Sequence, residues 1–465
     1  MRKEKDFIGE VQIPDGALYG INAARALENF GNFDESADPV FIKSFLMVKK
    51  ACALASNENG YLSDIKTKMI TDAVDLLLTG DDNGSVVVNP LSGGAGTPLN
   101  MNINELIANK ALVLAGHKPG DYHILSPVDD VNLHQSTNDT YPSAFKVAVM
   151  FYLKELEPAL ASLQESLQEK EKEYCDIVKL GRTELMDALP MTVGMQFSAY
   201  AECIARDRWR VFKANERIKT LNLGGTAIGT GFNAPQKYIF SAITKLREIT
   251  GLNISRAENL VDATQNLDTV VETMAIIKTA AVNLMKIAGD LRLQSGGPDG
   301  GIGEFILPAV QEGSSIMPGK VNPVIPEFVQ QVSMLIMGND AVISTAASQG
   351  NFELNQFYPL VAALSLKNLR MLTHSVKVFD RSCIKGLTLN REKIASNLSS
   401  SVAVLTYLSQ YIGHDKAAGF YLRYKNGEKD IKKMVTESGI MDANTYDELV
   451  NSNRFKMTGL KDGDK

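Results

Sequence analysis

The chain carries the sequence GSSIMPGKVNP at residues 313–323, and this stretch is its strongest indication of fold. Glycine at positions 313 and 319 and proline at positions 318 and 323 exclude a regular helix or a central strand, so a polar loop is predicted. Two adjacent serines, a lysine and an asparagine give the loop candidate nucleophiles or bases, oxyanion donors and an anchor for an anion. An ordinary surface loop rich in glycine and serine is the alternative interpretation.

Long amphipathic patterns lie on both sides of this loop. Apolar residues recur at spacings of three and four over residues 144–175, over residues 266–293 and from Phe328 to Val342. Patterns of this length predict long helices that pack along one another. Their apolar surface is too wide for the outside of a single domain, so it fits a helical bundle shared by several subunits. Because strand signals are sparse, the predicted fold class is all-α.

Composition excludes several classes of function. The 465 residues are 45% hydrophobic and 22% charged, as in an ordinary globular protein. The net charge of -6 provides no basic surface for nucleic acid or an anionic membrane, so neither partner is expected. No apolar run is long enough to cross a bilayer. Residues 1–6 lack the apolar core of a signal peptide, and a cytoplasmic location is therefore expected.

The cysteines and histidines give no sign of a metal centre. The five histidines and four cysteines are scattered, without the spacing of metal ligands, so no metal and no cofactor is expected. The cysteines are interpreted as reduced thiols of a cytoplasmic protein. They are Cys52, Cys175, Cys203 and Cys383.

Two further polar motifs precede the long helices. The sequence GGAGTPLNMNINE at residues 93–105 places small residues before Thr97 and then opens a helix with three asparagines. The sequence QSTND at residues 135–139 groups short polar side chains that could converge on one oxyanion. Both motifs also suit a helix N-terminus, where Asn, Ser, Thr and Asp are favoured caps. The residues alone leave both interpretations open.

Together these motifs resemble the signature sequences of the aspartase/fumarase superfamily of lyases. The resemblance runs through nearly the whole chain in the family's order. Residues 25–30 resemble RAxENF, residues 93–105 resemble the substrate loop GAGTSxNMNxNE, residues 181–190 resemble GRTHLQDAxP and residues 350–355 resemble GQLELN.

The resemblance implies a three-domain, all-α fold around a central bundle of long helices that assembles into a tetrameric helical core. The corresponding domains are an N-terminal helical domain at 1–140, the long-helix bundle at 141–395 and a small C-terminal helical domain at 396–465. It further implies a homotetramer in which three subunits contribute to each active site. The expected ligand is a small-molecule carboxylate substrate.

The resemblance assigns the catalytic chemistry to the loop at residues 313–323. It implies that Ser314 removes a proton from the carbon next to a carboxylate, while Lys320 and Asn322 hold the other carboxylate. A serine is a poor base unless it is ionised, so nearby donors and exclusion of water must lower its pKa. The glycines at 313 and 319 allow the loop to open and close.

The carbanion formed by proton removal needs preorganised hydrogen-bond donors that stabilise it as an aci-carboxylate. By resemblance these donors are Thr97, Ser136, Thr137 and the backbone near Ser315. Asn138 is expected near the leaving group. The other residues expected to contact the substrate are Asn100, Thr183, Met317 and Glu327.

Three positions that are basic in the family are acidic in this chain: Asp130, Glu184 and Asp299. Glu184, counted among the catalytic candidates, replaces a histidine that contacts substrate and pairs with a glutamate matching Glu327. Two carboxylates are therefore expected at one site, where the pKa of one should rise. A Glu184 that is merely solvated is the alternative.

These substitutions shape the functional expectation. An acid facing a dicarboxylate weakens binding, whereas an acid near a ring N–H or a quaternary ammonium favours it. We expect a carbon–nitrogen lyase that eliminates an amine from an amino-acid-derived carboxylate through a carbanion, with ergothionase-like release of trimethylamine from ergothioneine favoured over plain aspartate. The alternatives are aspartate ammonia-lyase, which yields fumarate and ammonia, and a fumarase-type hydro-lyase. The intact Ser314, Lys320 and Asn322 argue against a purely structural role.

Overall fold

A computed structural model describes residues 1–33, 36–80 and 83–450 together with Phe455. Helices dominate these residues, which confirms the all-α prediction. The helices of the N-terminal region are α1 (Ile21–Phe30), α2 (Pro39–Glu58), α3 (Asp64–Leu78) and α4 (Thr97–Leu114). The next helices are α5 (Thr137–Glu173), α6 (Val193–Ile218), α7 (Gln236–Thr250), α8 (Leu260–Gln265), α9 (Asp268–Gln294), α10 (Val324–Ala347) and α11 (Tyr358–Phe379). The C-terminal helices are α12 (Arg391–Ser399), α13 (Ala403–Ile412), α14 (His414–Lys425), α15 (Ile431–Glu437) and α16 (Ala443–Leu449).

The described strands form only two-stranded sheets. The antiparallel pairs are β1 (Arg2–Lys5) with β2 (Glu10–Ile13), β3 (Val178–Thr183) with β4 (Met186–Thr192) and β7 (Phe305–Ile306) with β8 (Thr388–Leu389). The strands β5 (Thr220–Leu221) and β6 (Ser255–Arg256) pair in parallel. Short π-helical turns occupy Pro127–Val131 and Asp380–Ile384, and a 3₁₀ turn occupies Asn83–Ser85.

The three long helices predicted from apolar spacing are present as α5, α9 and α10. Two more helices of similar length, α6 and α11, were not predicted. Helix α3 stops at Leu78, and Thr79 is its C-cap. Within the described ranges, none of the helices has the length and apolar character that a membrane span requires.

The chain forms two compact units, each assembled from three segments. The first contains Met1–Glu157, Trp209–Thr279 and Leu335–Thr373. Its core includes an aromatic cluster in which Phe41, Phe45 and Phe145 pack with Tyr141 and Tyr358. Most of these rings meet edge to face at centroid distances of 5.0 to 6.4 Å, the geometry that aromatic quadrupoles favour.

The second compact unit contains Pro158–Arg208, Ala280–Met334 and His374–Lys465. Phe197 stacks on Phe305 with the ring centroids 5.8 Å apart, and Tyr174 and Tyr200 pack around Phe197. The helices from α13 to α16 have an apolar cluster of their own, which includes the fully buried Leu408, and all of it falls within this unit. The division of the chain into three domains stays a prediction.

Candidate active site

The residues predicted to form the active site fall into two groups, one in each compact unit. The first unit carries Thr97, Asn100, Ser136, Thr137 and Asn138. The second carries Thr183, Glu184, Ser314, Ser315, Met317, Lys320, Asn322 and Glu327.

The motif QSTND forms the N-terminus of the long helix α5. The backbone N–H of Ser136 donates to Asp139 Oδ1 at 2.9 Å, and the N–H of Asn138 donates to Ser136 Oγ at 3.2 Å. This reciprocal arrangement caps the helix as the alternative interpretation expected. It also leaves the half-buried Ser136 at the positive end of a 37-residue helix dipole, where an anion is favoured.

Asp139 is fully buried and ties this helix end to the loop that follows β5. Its second carboxylate oxygen accepts the N–H groups of Gly224 and Thr226 at 3.0 and 3.2 Å. Burial raises the pKa of Asp139 to about 6, although three backbone donors and the nearby Lys49 act in the opposite direction. Asp139 therefore holds the start of α5 and the loop after β5 together.

Thr97 is the first residue of α4 and is exposed. The preceding Gly96 has φ +93°, and a Cβ at this position would lie 2.3 Å from the ring of Tyr141. Only glycine fits both the backbone conformation and the space. The close packing of Gly96 on a buried tyrosine fixes where α4 begins, and with it the position of Thr97.

Asn100 links α4 to the start of α5. It is 1% exposed, its Nδ2 donates to Thr137 Oγ1 at 3.0 Å, and its Oδ1 accepts from Thr140 Oγ1 at 3.3 Å. Since the Thr137 hydroxyl accepts from Asn100, its own proton is available for a ligand. Asn138 donates through Nδ2 to the carbonyl of Ala227 at 2.7 Å, which leaves its Oδ1 as an acceptor.

A network of buried and half-buried amides surrounds one buried lysine next to these residues. Asn132 Oδ1 accepts hydrogen bonds from Lys49 Nζ at 3.0 Å, Asn104 Nδ2 at 3.1 Å and Asn100 Nδ2 at 3.3 Å. Lys49 Nζ also donates to Gln135 Oε1 at 2.9 Å. Lys49 is 0% exposed, and this burial lowers its pKa to about 7.

A cavity of about 820 Å³ opens beside Ser136, lined by residues of the segments 128–136 and 226–233. His134 joins these two walls, because its Nδ1 lies 3.1 Å from the carbonyl oxygen of Asn233. A carbonyl oxygen only accepts, so Nδ1 carries the hydrogen. Thr226 is among the lining residues, and its hydroxyl is buried without a hydrogen-bond partner among the described residues.

The signature loop of the second unit folds back on itself. The N–H of Gly313 donates to the carbonyl of Lys320 at 2.9 Å, and Asn322 Nδ2 donates to the carbonyl of Gly313 at 2.9 Å. A Cβ on Gly313 would lie 2.5 Å from the Lys320 oxygen, so this closure requires glycine. Gly319 has φ +80°, which also favours glycine. The polar-loop prediction is confirmed.

Ser314 is half-buried and directly follows Gly313 at the start of this loop. Its Oγ accepts the backbone N–H groups of Ile316 and Met317, each at 3.2 Å. Backbone donors in this arrangement can stabilise a negative charge that develops on the oxygen. The loop encloses a groove of about 660 Å³ that is lined by Ser314, Ser315, Met317 and Lys320 among others.

Glu184 lies at the tip of the hairpin formed by β3 and β4. Glu184 and Leu185 have φ values of +54° and +65°, the pattern of a two-residue hairpin turn. The Glu184 side chain is exposed. The hairpin is anchored by Arg182, whose guanidinium forms a bidentate pair with the fully buried Glu304 at 2.7 and 3.0 Å.

Glu327 is in the first turn of α10, where an acidic side chain is favoured by the helix dipole, and it is half-buried. Thr183 is the last residue of β3 and is exposed. The pairing of Glu184 with Glu327 stays a prediction.

Asp130 does not present a free negative charge. Lys66 Nζ lies 2.7 and 2.8 Å from its two carboxylate oxygens, and the N–H of Ser126 donates to one of them at 2.8 Å. The charge is therefore compensated within the protein rather than directed at a ligand. Asp299 is exposed, and its backbone carbonyl accepts from Lys393 Nζ at 3.2 Å.

Lys49 was missed by the sequence reasoning. The sequence feature that could identify Lys49 is a charged residue at a core position of α2, where Phe45 and Cys52 are also buried. The groups that satisfy it, Asn132 and Gln135, are 83 and 86 residues away.

The described part of the chain contains no group of three or more His, Cys, Asp or Glu side chains that could hold a metal ion. All four cysteines are free thiols, of which Cys52 and Cys383 are buried.

Comparison with known proteins gives matches over nearly the whole chain. A family model described as "Lyase" matches residues 9–338. The aspartate ammonia-lyase of a Bacillus sp is 39% identical, with 99% of this chain and 98% of that protein covered. The aspartate ammonia-lyase of Helicobacter pylori strain 26695 is 41% identical, with 97% and 96% covered. Among solved structures, the cobalt-bound fumarate lyase:delta crystallin of Brucella melitensis is 38% identical, with a TM-score of 0.94 and coverage of 98% and 100%.

Proposed function

Because the chain belongs to the aspartase/fumarase superfamily of lyases, we propose that it eliminates ammonia from aspartate and releases fumarate. The observation that carries this proposal is the likeness, over almost the full length of both chains, to proteins named aspartate ammonia-lyase. The geometry of the two groups of candidate residues supports the chemistry that this reaction requires.

The expectation of an ergothioneine-like substrate is wrong. Relatives at about 40% identity over the full chain are named aspartate ammonia-lyase, which favours the first alternative instead. One physical reason lies at Asp130. The expectation assumes that its negative charge weakens binding of a dicarboxylate, but the ion pair with Lys66 compensates that charge. An acid that replaces a basic family residue thus need not change the charge that the substrate meets.

Proton removal falls to Ser314. As an alkoxide, Ser314 Oγ takes a proton from the carbon next to one substrate carboxylate, and the electron pair moves into that carboxylate to give the aci-carboxylate. The N–H groups of Ile316 and Met317, 3.2 Å from Oγ, support the alkoxide before the reaction starts. The pair then forms the carbon–carbon double bond, the carbon–nitrogen bond breaks, and ammonia leaves.

The two substrate carboxylates need separate donors. In this proposal the aci-carboxylate is held by Thr97, Ser136 and Thr137 and by backbone N–H groups near Ser315, and the other carboxylate by Lys320 and Asn322. Asn322 Nδ2 uses one of its two N–H groups to close the loop onto Gly313, so a second N–H remains. This division places a charged donor on the carboxylate that keeps a single negative charge.

The leaving amine needs an acceptor. Asn138 is a suitable one because its Nδ2 is committed to Ala227, which orients Oδ1 toward other partners. An amide oxygen accepts readily from an ammonium group, whereas a fumarase-type reaction would require a donor for a departing hydroxide. Asn100, Thr183, Met317, Glu184 and Glu327 are proposed to complete the binding surface.

We further propose that the protein acts as a cytoplasmic homotetramer in which each active site takes residues from three subunits. The long helices α5, α9 and α10 carry apolar side chains around much of their girth, and exposed Met334, Leu335 and Val342 on α10 support burial against another copy. The domains at 1–140, 141–395 and 396–465 are proposed as the modules of each subunit.

The test is a substrate panel with the purified full-length protein. Aspartate and malate are supplied separately, and fumarate is followed by its ultraviolet absorbance. The proposal expects fumarate and an equal amount of ammonia from aspartate, and none from malate. Fumarate from malate alone would instead identify a hydro-lyase, and absence of fumarate from both substrates would reject the proposed function.

A further inference from the structure

Lys49 is a charged side chain in a place where charge is costly. It is 0% exposed on α2, and burying an isolated ammonium costs several kcal/mol unless it is compensated. Its partners are two neutral amide oxygens, Asn132 Oδ1 at 3.0 Å and Gln135 Oε1 at 2.9 Å. The ammonium also lies 5.6 Å from the centroid of the Phe45 ring, a cation–π distance. A core that needed only packing would place an apolar side chain here.

The two amides that Lys49 contacts belong to the turn that leads directly into α5. Asn132 Nδ2 donates to the carbonyl of Gln135 at 3.1 Å, so the lysine and the turn form a closed set of hydrogen bonds. Asn132 Oδ1 also accepts from Asn100, which in turn donates to Thr137 Oγ1 at 3.0 Å. The lysine is thus connected through Asn132 and Asn100 to a hydroxyl proposed to bind the substrate.

From this geometry we propose that Lys49 is a positioning residue for the elimination reaction, which fixes the turn at 132–135 so that Ser136, Thr137 and the first N–H groups of α5 face the substrate carboxylate. The inference rests on the proposed function, because it assigns Lys49 a part in the same reaction. Lys49 touches no substrate in this account and acts through Asn132 and Gln135.

A buried cation beneath an anion-binding helix end also stabilises the extra negative charge of the aci-carboxylate. This contribution depends on the proton of Lys49. The titratable groups that face Lys49 are Cys52 on its own helix and Asp139 on α5, while Tyr238 of α7 interacts with Cys52. Burial lowers the pKa of Lys49 to about 7, so the proton is lost within the range in which an enzyme is assayed.

The experiment compares kcat and KM for aspartate in the wild type, Lys49→Met and Lys146→Met between pH 6 and 9. Lys146 is the matched control because it is also a buried lysine of the same unit, but its Nζ donates to the carbonyl of Thr220. We expect Lys49→Met to lower kcat/KM about tenfold at pH 6. At pH 9 the loss should be about threefold or smaller, and Lys146→Met should stay close to the wild type at both pH values.

A loss of the same size at every pH would indicate a merely structural role and overturn the inference, as would equal effects of both lysine variants. If Lys49→Met does not fold, Gln135→Leu keeps the lysine, breaks one of its contacts and should lower kcat/KM with an unchanged fold; wild-type kinetics for that variant would also overturn the inference. Absence of fumarate from the wild type would reject the proposed function, and with it this inference. If the wild type is active and Lys49→Met has unchanged kcat/KM, the inference about Lys49 is rejected but the proposed function is not.

Discussion

At the scale of the residue, the proposed role of Ser314 depends on how the loop supports a weak base. The free hydroxyl of serine is protonated at neutral pH. In the proposed mechanism, its reactivity depends on the two backbone N–H groups of Ile316 and Met317 that point at Oγ. Those donors come from consecutive residues, so they move with the loop. In the proposed mechanism, Ser314 therefore acts as the base only when the loop keeps this conformation.

Replacing Ser314 with alanine should abolish the base while leaving the fold intact. Because a positioned general base contributes about 10² to 10⁴ in rate, we expect kcat to fall about 10³-fold with little change in the melting temperature. Fumarate release from aspartate measures the rate. Ser438→Ala, at an exposed serine after α15, is the control and should retain wild-type kcat. Full activity of Ser314→Ala would assign the base to another residue.

Gly96 fixes the position of Thr97, because both the space around residue 96 and its backbone conformation require glycine. A Cβ at Gly96 meets the Tyr141 ring at 2.3 Å, and φ is +93°, so alanine suffers both overpacking and backbone strain. We expect Gly96→Ala to lower the free energy of unfolding by about 3 kcal/mol, measured by urea denaturation.

The matched variant for Gly96 is Gly116→Ala. Gly116 has φ +83° but open space around its Cβ position, so it carries the backbone strain alone. We expect a loss of about 1 kcal/mol for this variant. Equal losses for the two variants would show that contact with Tyr141 adds nothing to the requirement for glycine at position 96.

At the scale of elements, the hairpin of β3 and β4 depends on one buried ion pair. Glu304 is 0% exposed and Arg182 is its cationic partner, so removal of Arg182 leaves an uncompensated buried carboxylate. We expect Arg182→Met to lower the free energy of unfolding by about 3 to 5 kcal/mol. Denaturant unfolding of the single and double variants measures the effect.

The double variant Arg182→Met with Glu304→Gln removes the stranded charge. It should therefore be more stable than Arg182→Met alone, because the neutral amide can still accept the hydrogen bond that Asn397 donates to Glu304 at 3.0 Å. Strictly additive losses in this cycle would mean that the two side chains do not interact in the folded protein.

The same hairpin explains where prediction of elements from sequence stops. The end of α3 is predictable because apolar periodicity meets Thr79-Gly80, a helix-terminating pair. The hairpin is not, because its two turn residues, Glu184 and Leu185, are not the Asn-Gly or Gly-Gly types that signal positive φ. A shift of register between Leu180 and Arg182 further breaks the alternation that marks a strand.

At the scale of the whole molecule, repeated local patterns predict the fold class, whereas contacts between residues far apart in the sequence set the charge of the candidate site. The spacing of apolar residues over α5, α9 and α10 suffices to predict long packed helices. No local pattern predicts that Lys66 neutralises Asp130, or that Lys49 donates to Asn132 and Gln135. Each of these contacts joins residues more than sixty positions apart. Substrate preference, which depends on net charge, was therefore mispredicted while the fold was not.

The buried lysines give the whole molecule a characteristic dependence of stability on pH. Burial lowers the pKa from the usual 10.5 to about 7 for Lys49 and to about 8 for Lys146 and Lys179. Between these values and 10.5 the unfolded chain binds more protons than the folded protein, so the free energy of unfolding rises with pH. Toward lower pH this stability is lost as each lysine gains its proton.

Denaturant unfolding at pH 7 and pH 8.5 tests this dependence. Each fully titrating lysine contributes about 1.4 kcal/mol per pH unit, so we expect a rise of about 2 to 4 kcal/mol over the interval. Two thiols limit this rise. Burial raises the pKa of Cys52 and of Cys383 to about 12, whereas thiols in the unfolded chain ionise near pH 9. Their ionisation on unfolding therefore lowers the free energy of unfolding as pH increases. The Lys49→Met variant should lose about half of the rise, and an unchanged slope in that variant would show that Lys49 titrates normally in the folded protein.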